Sequence, residues 1–140
     1  MANELFAFID PAKVPTGEAW QAAIVECAFD LRLDPEMKPK EDSAFSPMTL
    51  LGKPSGVEIY YTDEREFLDE FDEIRGAREY CVSFRWGGDM GECACASIAS
   101  FVLAKHFGAL VSYEGDEPGS LEALKEGADQ ALEYFRKEGP

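Results

Sequence analysis

The chain is poor in histidine and in basic residues, and it contains no long hydrophobic run. His106 is its only histidine, and 13 lysines and arginines stand against 28 aspartates and glutamates. A single imidazole excludes multi-histidine metal sites and makes any Ser-His-Asp or Cys-His hydrolase depend wholly on His106. The formal net charge of −15 repels nucleic acid and anionic membrane surfaces. No run of about 18 apolar residues occurs, so the sequence predicts no membrane span. The start Met1-Ala2-Asn3-Glu4 lacks a basic region, and the apolar stretch Leu5–Ile9 is too short for a signal peptide. A cytoplasmic protein is the resulting expectation. Linkers, internal repeats and low-complexity stretches are also missing. Residues 1–140 therefore read as one globular domain, long enough to bury a core without covalent staples.

The motifs of common chemistry are incomplete. Cys27, Cys81, Cys93 and Cys95 are expected as reduced thiols in a chain without a leader. Cys27, Cys81 and Cys95 lie among apolar neighbours, where cysteine acts as a small hydrophobe. The pair Cys93-Ala94-Cys95 falls in a helical pattern, and residues two apart on a helix point about 200° away from each other. Both thiolates then cannot face one ion, and no metal or other cofactor is expected. Gly87-Gly88-Asp89-Met90-Gly91 joins a strand to a helix, where phosphate loops occur. It lacks both the Lys-Ser/Thr of a P-loop and the G-x-G-x-x-G of a dinucleotide fold. A glycine turn with Asp89 as helix N-cap is the plainer reading. His106 falls near the C-terminal end of the same helix, where the dipole favours an imidazolium and a capping or packing role suffices. A small enzyme using His106, or a carboxylate pair near the Gly87-Gly88 turn, is the alternative.

What the chain does have is apolar patterning. Hydrophobic residues make up 46% of it and aromatics 12%, enough for a packed core. Leu5–Ile9 reads as a strand. Thr16 caps a helix whose stripe is Trp20, Ala23, Ile24, Cys27 and Ala28, and the polar stretch 30–42 has room for one short strand at Leu31–Leu33. Met48–Leu51 and Val57–Tyr61 flank Gly52-Lys53-Pro54-Ser55-Gly56 as a hairpin around a five-residue turn. A helix from about Asp63 to Arg75 follows and stops at Gly76. Tyr80–Trp86 is the strongest strand, and Met90–Phe107 a nearly all-apolar central helix ended by Gly108. Ala109–Tyr113 is a last strand before an amphipathic helix from Ser120 to about Lys137. The order β-α-β-β-α-β-α-β-α, with its hairpin and short connections, predicts an α+β fold. Its sheet is mixed or mostly antiparallel, with helices packed on one face.

The helix at 63–75 carries the functional signal. Asp63 to Glu73 holds seven carboxylates and one arginine, while Phe67, Leu68, Phe71 and Ile74 share one helical face. That spacing leaves Glu66, Asp69, Glu70, Asp72 and Glu73 around the outside. An ordered acidic surface suits a basic protein partner, and a solvated face that keeps the chain soluble is the plain alternative. Aromatic anchors flank the acids at Tyr60, Tyr61, Trp86 and Tyr113, with Asp89 beside Trp86.

Two segments together resemble a known group. Val14-Pro15-Thr16-Gly17-Glu18-Ala19-Trp20-Gln21-Ala22-Ala23-Ile24 is similar to an N-terminal "PT-x-x-x-WQ-A-A" helix start. Phe84-Arg85-Trp86-Gly87-Gly88-Asp89-Met90-Gly91-Glu92 leads into an Ala-rich helix, then Gly108, a strand and an acidic loop. The combination resembles small leaderless immunity-type proteins of bacterial polymorphic-toxin loci (type VI secretion or contact-dependent). The resemblance implies a stoichiometric inhibitor of a toxin acting in the cytoplasm, and it carries no residue roles with it. A toxin-independent adaptor or chaperone-like interaction protein is a further alternative.

Overall fold

A computed structural model describes residues 2–138. Among them, six strands form one antiparallel sheet with the order β2-β3-β4-β5-β1-β6. The strands are β1 Asn3–Ile9, β2 Leu31–Leu33, β3 Ala44–Leu50, β4 Lys53–Thr62, β5 Tyr80–Trp86 and β6 Leu110–Tyr113. The helices are α1 Gly17–Glu26, α2 Arg65–Asp69, α3 Asp72–Arg75, α4 Met90–Phe107 and α5 Leu121–Glu138, with a 3-10 turn at Pro11–Lys13. The fold is α+β. Every strand pairing is antiparallel, which narrows the mixed or mostly antiparallel expectation.

Alternation along the central strand divides the core in two. Leu5, Ala7 and Ile9 of β1 join the main core, while Phe6 and Phe8 point to the opposite face. The main face also collects Leu31, Leu33, Met48, Leu50, Val57, Ile59, Val82 and Phe84, all buried. Helix α4 lies across it, touching β1, β3, β4, β5 and β6 as well as α1 and α5. Its sequence explains the position. Asp89 Oδ1 accepts from Glu92 N at 2.9 Å, Gly108 closes the far end at φ 74°, and Ala94, Cys95, Ala96, Ile98, Ala99, Phe101, Val102 and Leu103 are buried between. Left-handed φ at that closing position is what selects glycine. Helix α1 starts on a Thr16 cap, whose Oγ1 accepts from Ala19 N at 3.0 Å. Trp20, at its centre, donates its indole N–H to Ala99 O. Helix α5 presses Ala128, Ala131 and Phe135 onto α4.

Three expectations change. The hairpin turn is Leu51-Gly52, both at positive φ (51° and 77°), and Lys53–Gly56 belongs to β4, paired with Pro47–Leu50. Two central residues at positive φ make the tight turn whose twist matches the flanking strands; pairing along β3 overrides the turn-like composition of Lys53-Pro54-Ser55-Gly56. The acidic helix is not continuous: it breaks at Phe71, with φ −118° and ψ 22°, into α2 and α3. Nor do all helices lie on one face. The α2–α3 segment covers the second face, over Phe6, Phe8 and Cys81.

Candidate functional site

The acidic segment is clamped from below by aromatic packing. Phe67, Leu68, Phe71 and Ile74 lie against Phe6, Phe8 and Cys81, with the Phe71 ring 5.0 Å from Phe6 and 5.3 Å from Phe8. The break at Phe71 lets both short helices turn their apolar residues onto this strip. Helices of four and five residues have almost no stability of their own, so tertiary contacts hold them.

Arg75 supplies the second clamp. It is buried, at 6% exposure. Its Nε donates to Leu68 O at 2.9 Å, Nη1 to Arg78 O at 3.0 Å, and Nη2 to Asp72 Oδ1 at 2.6 Å. Asp69 and Glu79 stand within ion-pair distance of the same guanidinium, at 3.8 and 3.5 Å. The bond to Leu68 O ties the guanidinium to the end of α2, where the same carbonyl also accepts from Phe71 N at 3.0 Å. Arg65 pairs with Glu79 and lies 3.7 Å from Asp69. The hydrogen bond from Arg65 holds the Glu79 carboxyl below its ordinary range.

These contacts sort the predicted acids into two sets. Asp69 and Asp72 face Arg75 and act as internal counter-ions. Among the described residues no ion pair engages Glu66, Glu70 or Glu73, and all three are exposed. The fold also brings a second acidic run beside them: Gly115 sits so close to Phe71 that an added Cβ would lie 3.4 Å from the ring. Glu114, Asp116 and Glu117 of that loop are exposed. The acidic surface is therefore larger than the helix alone.

The other predicted residues separate. Tyr60 is exposed and donates its hydroxyl to Glu58. Tyr61 points to the opposite face, packs against the main core, and has its hydroxyl pKa pushed up by burial. Trp86 is only 6% exposed and belongs to that core, so it offers no surface anchor. Alternation along β4 and β5 explains both placements, because Tyr61 pairs with Val82 and both face the helices. Asp89 is exposed and occupied as the α4 cap. Tyr113 is 44% exposed and bonds Asn3 Oδ1 at 2.7 Å.

His106 is exposed in the last turn of α4 beside Phe107, and among the described residues no hydrogen bond ties it to a nucleophile or carboxylate. No group of three or more His, Cys, Asp or Glu among the described residues is arranged to hold a metal. Cys27, Cys81, Cys93 and Cys95 are free thiols, two buried and two partly buried. Among the described residues no helix is long and apolar enough to cross a membrane.

No family model, curated protein or solved structure matches this chain. Sequence reasoning missed Arg75, although it falls four residues after Phe71 on the apolar stripe, which is where a buried guanidinium belongs. It also missed Phe45, 51% exposed on β3, because the expected strand begins only at Met48 and β3 begins at Ala44.

Proposed function

We propose that this protein is an immunity protein, a stoichiometric inhibitor that binds a cognate bacterial toxin domain and occludes its active site in the cytoplasm. One observation carries the reading. Glu66, Glu70 and Glu73 have no ion-pair partner among the described residues, are exposed, and are mounted on a segment that packing and Arg75 hold in place. Charges fixed in advance lose little conformational freedom on binding. They steer a basic partner into contact and reject partners of like charge. Clustering them costs stability through like-charge repulsion, most directly between Glu66 and Glu70 at i,i+4, a cost that a binding role accounts for. The similarity to immunity-type proteins at Val14–Ile24 and Phe84–Glu92 points the same way.

Growth assays test the reading. The reading frames flanking this gene are expressed singly and then together with it. One of them is expected to arrest growth alone, and co-expression is expected to restore it. If none arrests growth, or if an arresting product is not rescued, the inhibitor reading fails.

A further inference from the structure

The second face of the sheet is covered over only part of its width. Helices α2 and α3 lie on β1 and β5, whereas the same face of β2, β3 and β4 carries exposed Arg32, Phe45, Pro47, Thr49 and Tyr60. The alternate residues of these strands, such as Leu33, Met48 and Ile59, are buried on the helix side. The exposure thus belongs to one face and not to a loosely packed end of the sheet. Both aromatics are held in position. The Phe45 ring lies over Gly56, where an added Cβ would come within 2.6 Å of Phe45 Cζ and meet Ser46 O as well. Gly56 also has φ 144°, so only glycine leaves room for the ring. Tyr60 is tied by its hydroxyl to Glu58. Glu58 in turn stands in one cross-strand row with Phe45, Arg85 and Glu4.

The sheet edges offer less. At β2 the Gln21 amide donates to Leu31 O at 2.9 Å and accepts from Leu33 N at 2.6 Å. At β6 the Gly119 N–H bonds Val111 O at 3.0 Å. Backbone groups already bonded in this way do not recruit an added strand, which leaves the face.

We infer that this floor, bordered by the acidic α2–α3 segment, docks a basic protein partner, and that Phe45 and Glu58 together receive one of its arginines. A guanidinium stacks on an aromatic ring while pairing with a carboxylate beside it; the compact ammonium of lysine does not combine the two as well. Charge selects the occupant, since α2 begins just after β4 and the net charge of −15 repels a second copy of the chain. The inference rests on the partner-binding reading above and adds where the partner sits.

Hexa-arginine and hexa-lysine peptides, titrated separately into isotope-labelled protein at low ionic strength, test it by amide chemical shifts. The expected shifts fall at Phe45, Glu58 and Tyr60 together with α2–α3. Hexa-arginine should bind roughly two- to fivefold more tightly than hexa-lysine, the range of an exposed cation–π contact. Phe45→Leu keeps apolar bulk over Gly56, so it should preserve the spectrum elsewhere while abolishing the arginine preference. The inference is overturned if shifts are confined to α2–α3, the 114–117 loop or α5, or if the two peptides bind alike to the wild type. It is equally overturned if the same amides shift with protein concentration alone, which makes a second copy the occupant. Failure of the growth assay with the peptides mapping to the floor would count against the inhibitor reading and not against this one.

Discussion

Arg75 shows how one residue makes an acidic surface possible. Its guanidinium closes the end of α2, reaches Arg78 O and neutralises Asp69 and Asp72 from inside, leaving the outer acids free. Arg75→Met keeps the aliphatic bulk and removes the donors. Leu68 O keeps its bond from Phe71 N, but Arg78 O loses its side-chain donor and Asp69 and Asp72 lose their counter-ion; a hydrogen bond to a charged group contributes about 1.5–3 kcal/mol. Urea denaturation should show a loss of that size, together with faster amide exchange in α2–α3 than in α4; a loss under about 0.5 kcal/mol would show that aromatic packing alone holds the segment. The sequence marked Phe67, Leu68, Phe71 and Ile74 correctly because helical spacing survives the break at Phe71. It hid the role of Arg75, because a charge at the end of a charged run reads as surface until its carbonyl partners are known.

The thiols give a second test at this scale. Burial pushes the Cys81 thiol from its ordinary 9.0 up to about 12 and the Cys95 thiol up to about 11. A raised pKa means that the folded state holds the proton more tightly than the unfolded one. The associated stability is present below pH 9 and is lost as pH rises through these values. Cys81→Ala should flatten the fall in unfolding free energy measured above pH 9. Native thiol labelling near pH 8 should reach Cys27 and Cys93 before Cys81 and Cys95; the reverse order would mean that the core opens on the labelling timescale.

Among the elements, α4 was the most legible and α2–α3 the least. Its cap, its glycine stop and its apolar composition all point to one long buried helix, and local and global preferences agree. Phe101→Ala, at a site 2% exposed, should cost about 3–5 kcal/mol in chemical denaturation, and a loss near 1 kcal/mol would make α4 peripheral. By sequence the acidic stretch reads as one helix, because periodicity reports the buried face and not the continuity of the axis. Phe71 breaks it so that two short pieces can both reach Phe6 and Phe8, a demand set by β1, which lies far away in sequence. The β3–β4 hairpin itself was legible, and only its turn was misplaced, for a similar reason. Lys53–Gly56 carries no β-forming residue, and cross-strand pairing with β3 extends β4 through it.

At the scale of the molecule, the sheet separates two tasks. One face buries the main core under α1, α4 and α5, and the other carries α2–α3, the 114–117 loop and the open floor around Phe45. Composition revealed the charge of the whole, yet only the fold places the two acidic runs side by side, because their contact joins Phe71 to Gly115. Unpaired acids held on an ordered scaffold should act chiefly on the rate of encounter. The direct measurement is stopped-flow association of the wild type, and of a variant with Glu66, Glu70 and Glu73 all replaced by Gln, with the growth-arresting partner across a series of salt concentrations. The account predicts an unchanged fold, association on the order of tenfold slower at low salt for the variant, and a flatter dependence on ionic strength. Equal rates and equal salt dependence for the two proteins would contradict it and leave the acidic face as a solvated surface.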